Sequence, residues 1–236
     1  MIIGRGLIAD SFKRNSEFVN NYDNDCLVFA SGVSNSAEKK ESEFKREFDL
    51  LKESLQNSNN QIVIYFSTLS IYDNSLNSSS YIKHKLSIED FLLSLNREVL
   101  ILRAPNVVGE GGNKKTLINH FFSSILQEKE IIIWKNAKRN LLAVDHLVEI
   151  VINLLKFKER GIKNIGFPVS YSAQQIVETI ESLLQKKAVV KVLDKGEDYL
   201  ENLNLNQNIK FFNHLSVSEK ENYLFFLLKT YYSEYL

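Results

Sequence analysis

Among its 236 residues the chain has one cysteine, Cys26. That excludes an internal disulfide and suits a reducing compartment, so a cytoplasmic location is expected. Neither sign of charge is in excess, with 29 basic and 29 acidic residues. No general field gathers nucleic acid or an anionic membrane surface, and neither is expected as a partner. No apolar run approaches the roughly 18 residues of a membrane-spanning helix. The opening MIIGRGLIAD has too short an apolar run, and glycines too early, for a signal peptide. Prolines number only two, Pro105 and Pro168, and both fall where strands are expected to leave for loops. Internal repeats and low-complexity linkers are absent too, leaving one large domain or one with a small appendage.

What is there alternates. CLVFAS (26–31), IVIYFS (62–67) and EVLILR (98–103) are compact, apolar and rich in β-branched or aromatic residues. They read as strands buried on both faces. Between them, residues 38–56 place Phe44, Phe48, Leu51 and Leu55 at helical spacing, and residues 81–95 do the same with Leu86, Phe91, Leu92 and Leu95. Further helices are expected over 114–127, 145–157, 172–186 and 217–233, short strands near 131–134 and 163–166, and a flexible loop over 200–208. The expected fold is α/β: a Rossmann-like parallel sheet with helices on both faces and a small C-terminal substrate lobe. The division is placed at 1–160 for the dinucleotide-binding body and 161–236 for the lobe.

Two stretches carry chemistry. Ile2-Ile3-Gly4-Arg5-Gly6-Leu7-Ile8-Ala9 compresses a strand, a turn and a helix start. Such a turn lets backbone N–H groups approach a pyrophosphate at the helix N-terminus. Gly4 would make the turn, Gly6 would allow close approach, and Ala9 would sit small against the strand. An acid to hold the adenosine ribose would have to be Asp23 or Asp25, neither of which ends a convincing strand. Arg5 could instead grip a 2′-phosphate, so the lean is to NADP(H) over NAD(H).

The second stretch runs from Tyr65 to Lys85. Tyr81 and Lys85 stand four apart, on one helix face. A free tyrosine titrates near 10, too high for proton transfer at neutral pH. A neighbouring lysine and an oxidised nicotinamide would lower it, and Thr68 at the strand end could bind the same substrate oxygen.

The ordered motifs GRGLIA, LVFASGVS, IYFSTLSIYD, YIKHK, LRAPNVVGEGG and RNLLAVDHL, spread over most of residues 1–155, resemble the extended short-chain dehydrogenase/reductases. Within these the likeness is to the NAD(P)-dependent epimerase/dehydratase family acting on nucleotide sugars. The resemblance implies catalytic roles for Thr68, Tyr81 and Lys85. It implies cofactor contacts from Gly4, Arg5, Gly6, Leu7, Ile8, Ala30, Ser31, Gly32, Phe66, Ser67, Tyr81, Lys85, Arg103, Pro105, Asn106 and Val107. Thr68, Asn106 and Arg139 would meet a nucleotide-sugar substrate. The sequence departs from the family's pattern in having Ile3 at the first glycine position, a much shortened region before CLVFAS, and a short loop between Thr68 and Tyr81. The implied homodimer would pair helices 38–56 and 81–95, whose apolar stripes could equally cover the sheet.

The triad itself does not fix the reaction. Leu69 and Ser70 follow Thr68 where a dehydratase would carry an Asp-Glu pair. That leaves a keto-sugar reductase using Tyr81 as acid/base, favoured by the NADP(H) lean, or an epimerase with tightly held NAD. From a different class comes a non-catalytic Rossmann-fold subunit or regulator of a sugar-modifying pathway. His84, flanked by Lys83 and Lys85, is expected at the surface; His120, His146 and His214 show no ligand spacing, so no metal site is expected. Asp145 is expected to cap a helix.

Overall fold

A computed structural model describes residues 1–111 and 116–235 of the chain. Gly112, the last glycine of LRAPNVVGEGG, and the first two residues of the helix expected over 114–127 lie outside the described residues. The chain forms two compact units, Met1–Ala104 with Leu147–Ile165, and Pro105–His146 with Gly166–Leu236.

The first unit begins with β1 (Ile2–Ile3), α1 (Leu7–Arg14), α2 (Ser16–Asn21), β2 (Cys26–Phe29) and α3 (Glu41–Gln56), followed by β3 (Ile62–Thr68), α4 (Ser80–Leu93) and β4 (Glu98–Ala104). After an excursion through the second unit it ends with most of α6 (Val144–Lys156) and with β8 (Gly161–Asn164). These strands make one parallel sheet in the order β1-β2-β3-β4-β8. Only α1 and α2 lie between β1 and β2, so the sheet ends at β1. Register explains the layering. Leu27, Phe29, Val63, Tyr65, Val99 and Ile101 point to one face, where Leu51 and Leu55 of α3 and Ile88 and Leu92 of α4 cover them. The alternate residue Phe66 meets Phe12 of α1 from the other face, with ring centroids 5.8 Å apart. The stripes on α3 and α4 thus cover the sheet.

The second unit holds β5 (Asn106–Val108), α5 (Leu117–Leu126), β6 (Glu130–Trp134) and β7 (Lys138–Ala143), then β9 (Ser170–Ser172), α7 (Ala173–Leu184), β10 (Val189–Leu193), α8 (Val217–Glu221) and α9 (Tyr223–Tyr231). β7 pairs with β5 in parallel and with β9 antiparallel, while β6 and β10 form a separate parallel pair. α7 starts at a capping box in which Ser172 and Gln175 satisfy each other's backbone N–H. The helix expected over 217–233 is broken at Asn222 into α8 and α9. The loop expected over 200–208 is ordered into 3-10 turns, Glu201–Leu203 and Leu205–Phe212, which bury Leu205, Asn208, Phe211 and Phe212. Phe167 stacks on Tyr223 at 3.7 Å, and Phe212 meets Phe167 edge-on at 5.0 Å. Among the described residues no helix is long and apolar enough to cross a membrane.

Asn140 ties this unit together. Its side chain is 1% exposed, donates to the carbonyls of Phe167 and Val169 at 2.6 and 3.1 Å, and accepts from the Phe167 N–H at 3.1 Å. Leucine is close in volume but can make none of these bonds. Asn140→Leu is therefore expected to lower stability by about 2–4 kcal/mol, read as a fall in urea midpoint without a change in slope.

Candidate functional site

The turn after β1 has the geometry its glycines suggested. Gly4 sits at φ +140°, and a Cβ there would stand 2.5 Å from the Ala30 carbonyl oxygen. Only glycine lets this turn close against the end of β2. Gly6 caps α1 without any side-chain bond to the first amides, Ala9 is fully buried, and Arg5 and Gly6 are exposed. The start of α1 is therefore open for an anion. At the end of β2, Ala30, Ser31 and Gly32 are half-buried, and Ser31 accepts from the Arg46 guanidinium through its carbonyl.

The three candidate catalytic residues come together at the end of β3. Thr68 ends that strand and Tyr81 lies in the first turn of α4; their side chains are hydrogen-bonded, and both residues are buried. Lys85 follows one turn later, with only 2% of its surface exposed.

Lys85 makes its closest contacts away from Tyr81. Its ammonium lies 3.0 Å from Glu47 Oε1 of α3 and 3.0 Å from the Tyr65 hydroxyl. It stands 5.0 Å from the centre of the Tyr65 ring but 5.9 Å from that of Tyr81. Glu47 is fully buried and accepts from four groups: Lys85, Tyr65 at 2.7 Å, the Val33 N–H at 2.6 Å and His84, whose Nε2 is at 3.0 Å. Gly32 makes room for this cluster, since a Cβ there would lie 2.8 Å from Lys85 Nζ and 2.9 Å from Glu47 Oε1. His84, expected at the surface, is half-buried with its ring 4.8 Å from that of Phe44.

Electrostatics follow from this arrangement. Burial pushes Glu47 up, but the Lys85 charge and the hydrogen bonds from His84, Val33 and Tyr65 outweigh it, taking the carboxyl from the ordinary 4.5 to about 2. Tyr81 moves the other way from Glu47. Burial, seconded by the Glu47 charge, raises it to about 12 against the opposing bond to Thr68.

A second buried carboxylate lies one turn beyond Lys85. Glu89 accepts from Ser67 Oγ and from the Arg103 guanidinium, with Nη2–Oε2 at 2.6 Å. Arg103 also donates to the Tyr72 hydroxyl at 2.8 Å, and that hydroxyl bonds Asn164 at 3.1 Å. Ser67 and Arg103, expected to face a cofactor, are thus bound within the protein. Sequence reasoning passed over Glu47, Glu89 and Tyr65. The signal was available, because Glu47 lies on the stripe of Phe44 and Leu51, and Glu89 on that of Tyr81, Lys85 and Leu92.

The remaining candidates lie in the second unit. Pro105 precedes β5, which carries Asn106 and Val107; Asn106 is exposed and reaches the Asn140 carbonyl at 3.4 Å. Arg139, half-buried on β7, donates to the Lys138 carbonyl at 2.8 Å. His146 and His214, unrelated by spacing, are neighbours with rings 5.2 Å apart. Burial and then the His214 charge lower His146 to about 4. Asp145 lies inside the first turn of α6, not before it, and accepts from the Tyr231 hydroxyl at 2.7 Å.

A model of the NAD dependent epimerase/dehydratase family matches residues 14–166. No curated protein matches the chain in sequence. Among solved structures, the UDP-glucuronic acid 4-epimerase of Bacillus cereus, in complex with UDP-glucuronic acid and NAD, is similar with a TM-score of 0.70 at 18% identity, over 99% of this chain and 89% of that one. The UDP-N-acetylglucosamine 4-epimerase of Methanobrevibacter ruminantium, in complex with UDP-N-acetylmuramic acid, gives 0.69 at 19% identity, over 95% and 82%. RMD from Pseudomonas aeruginosa, complexed with NADPH, gives 0.68 at 14%, over 89% and 81%.

The low value of Glu47 fixes a pH dependence. A carboxyl depressed on folding adds stability above its unfolded value, and that stability is lost as pH falls through the folded one. Between pH 4.5 and about 2 the protein should therefore lose ~3 kcal/mol from this group, as judged by urea unfolding at stepped pH. In Lys85→Met, where the principal opposing charge is gone, this acid limb should shrink.

Proposed function

The chain belongs to the NAD dependent epimerase/dehydratase family, and from that premise we propose that it is an enzyme moving a hydride between a nicotinamide dinucleotide and a nucleotide-linked sugar. The observation that carries this reading is the meeting of Thr68 and Tyr81 at the end of β3, with Lys85 one turn on. A phenol bonded to a neighbouring hydroxyl can exchange a proton with a sugar hydroxyl as the hydride departs or arrives. The dinucleotide supplies the hydride acceptor when bound. Gly4, Arg5, Gly6, Leu7 and Ile8 would hold its phosphates, with Ala30, Ser31 and Gly32 beside the adenosine. Phe66 and Ser67 belong near the nicotinamide ribose, and Arg139 near the substrate phosphate. Pro105, Asn106 and Val107 would reach cofactor and sugar.

Of the two reactions weighed from the sequence, epimerisation is better supported than keto-sugar reduction. The names of the B. cereus and M. ruminantium neighbours are those of 4-epimerases. An epimerase takes hydride and returns it to the same carbon, so it recycles NAD(H). Exposed Arg5 still supports NADP(H), and the cofactor is proposed as a nicotinamide dinucleotide of either kind. A homodimer through α3 and α4 accompanies this reading, with Leu86 and Leu93 left exposed on α4.

A second reading rests on one specific observation: Lys85, Ser67 and Arg103 are all engaged by buried carboxylates. That favours a non-catalytic subunit keeping the fold of its relatives. Tyr81→Phe distinguishes the two in a screen of UDP-sugars supplied with NAD or NADPH. Under the enzyme reading turnover falls by roughly 10²–10⁴-fold while dinucleotide affinity stays within about threefold. A fully active Tyr81→Phe protein would contradict it.

A further inference from the structure

Seven ionisable side chains from four elements crowd the end of β3. Glu47 comes from α3, Tyr65 from β3, and Tyr81, His84, Lys85 and Glu89 from α4, with Arg103 of β4 paired to Glu89. In this cluster the lysine is closer to a tyrosine outside the triad than to the one it was expected to activate. We propose that Glu47 is a positioning residue for the proton-transfer step: it draws Lys85 toward Tyr65 and cancels the lysine charge, so that Tyr81 is held as a neutral phenol at rest.

Charge and distance assign this role to Glu47. A cation about 6 Å from a buried phenol is worth one to two pH units on its ionisation at an effective dielectric near 20. Glu47 touches the Lys85 ammonium and its opposite charge also reaches Tyr81, disfavouring the phenolate, so Tyr81 sees little net positive field. His84 and the Val33 N–H hold the second carboxylate oxygen, which fixes where Lys85 can reach. Glu89 cannot play the same part, because Arg103 already neutralises it. The substitution that frees the lysine charge is therefore Glu47→Gln, similar in shape and neutral. The consequence for catalysis rests on the enzyme reading above; the consequence for Tyr81 does not.

The test is titration of Tyr81 in the full chain, followed by NMR of protein labelled at the tyrosine Cζ carbon and assigned with Tyr81→Phe. Glu47→Gln should lower the Tyr81 midpoint by about one unit or more. An unmoved midpoint in a folded variant overturns the proposal. Glu47→Gln leaves Lys85 buried without a counter-ion, so Glu47→Gln/Lys85→Met serves as a second, charge-neutral variant. If the two charges cancel at Tyr81, the double variant keeps the midpoint within about half a unit of the parent. A rise of a unit or more there would mean that Lys85 acts on Tyr81 unopposed, and overturns the proposal as well. The pH profile of turnover adds a reading that mere structural damage would not give: its alkaline limb should move down in Glu47→Gln by the same shift. Were the enzyme reading itself wrong, neither protein would turn over, yet the tyrosine titration would still decide the role of Glu47.

Discussion

A carboxylate with no exposed surface organises the first unit. Glu47 must find partners for both oxygens or it would not stay ionised there. It finds them on three sides: in the loop after β2 through Val33, on β3 through Tyr65, and on α4 through His84 and Lys85. The need to satisfy one buried charge therefore fixes how α3 and α4 sit against the sheet. It also favours glycine at residue 32, where a Cβ would press on the pair. Glu89 does comparable work one turn further along, tying β3 to β4 through Ser67 and Arg103. Between the two carboxylates lies the end of β3, where Thr68 and Tyr81 meet.

The same end of the sheet shows what the shortened N-terminal region costs. Strand order runs one way from β1 to β8, without the reversal at which open α/β sheets usually seat their ligands. β1 is an edge of two residues, and among the described residues no strand flanks it on the far side to present an acid to an adenosine ribose. The glycine turn keeps its shape because its requirements are local: Gly4 against Ala30, Ala9 against the sheet, and an uncapped helix start.

Much of this could be read in the sequence because its signals are local. β2, β3 and β4 are short apolar runs that only a doubly covered sheet accommodates, and α3 and α4 carry clear stripes. The positions of Thr68 at a strand end and of Tyr81 and Lys85 on one helix could be read because both follow from spacing. β5, β7, β9 and β10 were missed; β5, β9 and β10 are short and partly exposed, and β7 runs directly into α6. Pairing between distant side chains was hidden for a different reason. Nothing in spacing says that Glu47 reaches Lys85, or that His146 meets His214, since those contacts depend on how elements pack. A charge on an apolar stripe was the one visible trace.

The most direct measurement is a titration of the purified protein with NAD, NADH, NADP and NADPH, followed by nicotinamide fluorescence and thermal shift. The account predicts micromolar binding of at least one form and a matching rise in melting temperature, since a ligand at 100 times its Kd adds about 2.7 kcal/mol. A well-folded sample that binds none of the four would contradict it, leaving Thr68, Tyr81 and Lys85 as parts of a fold without its chemistry.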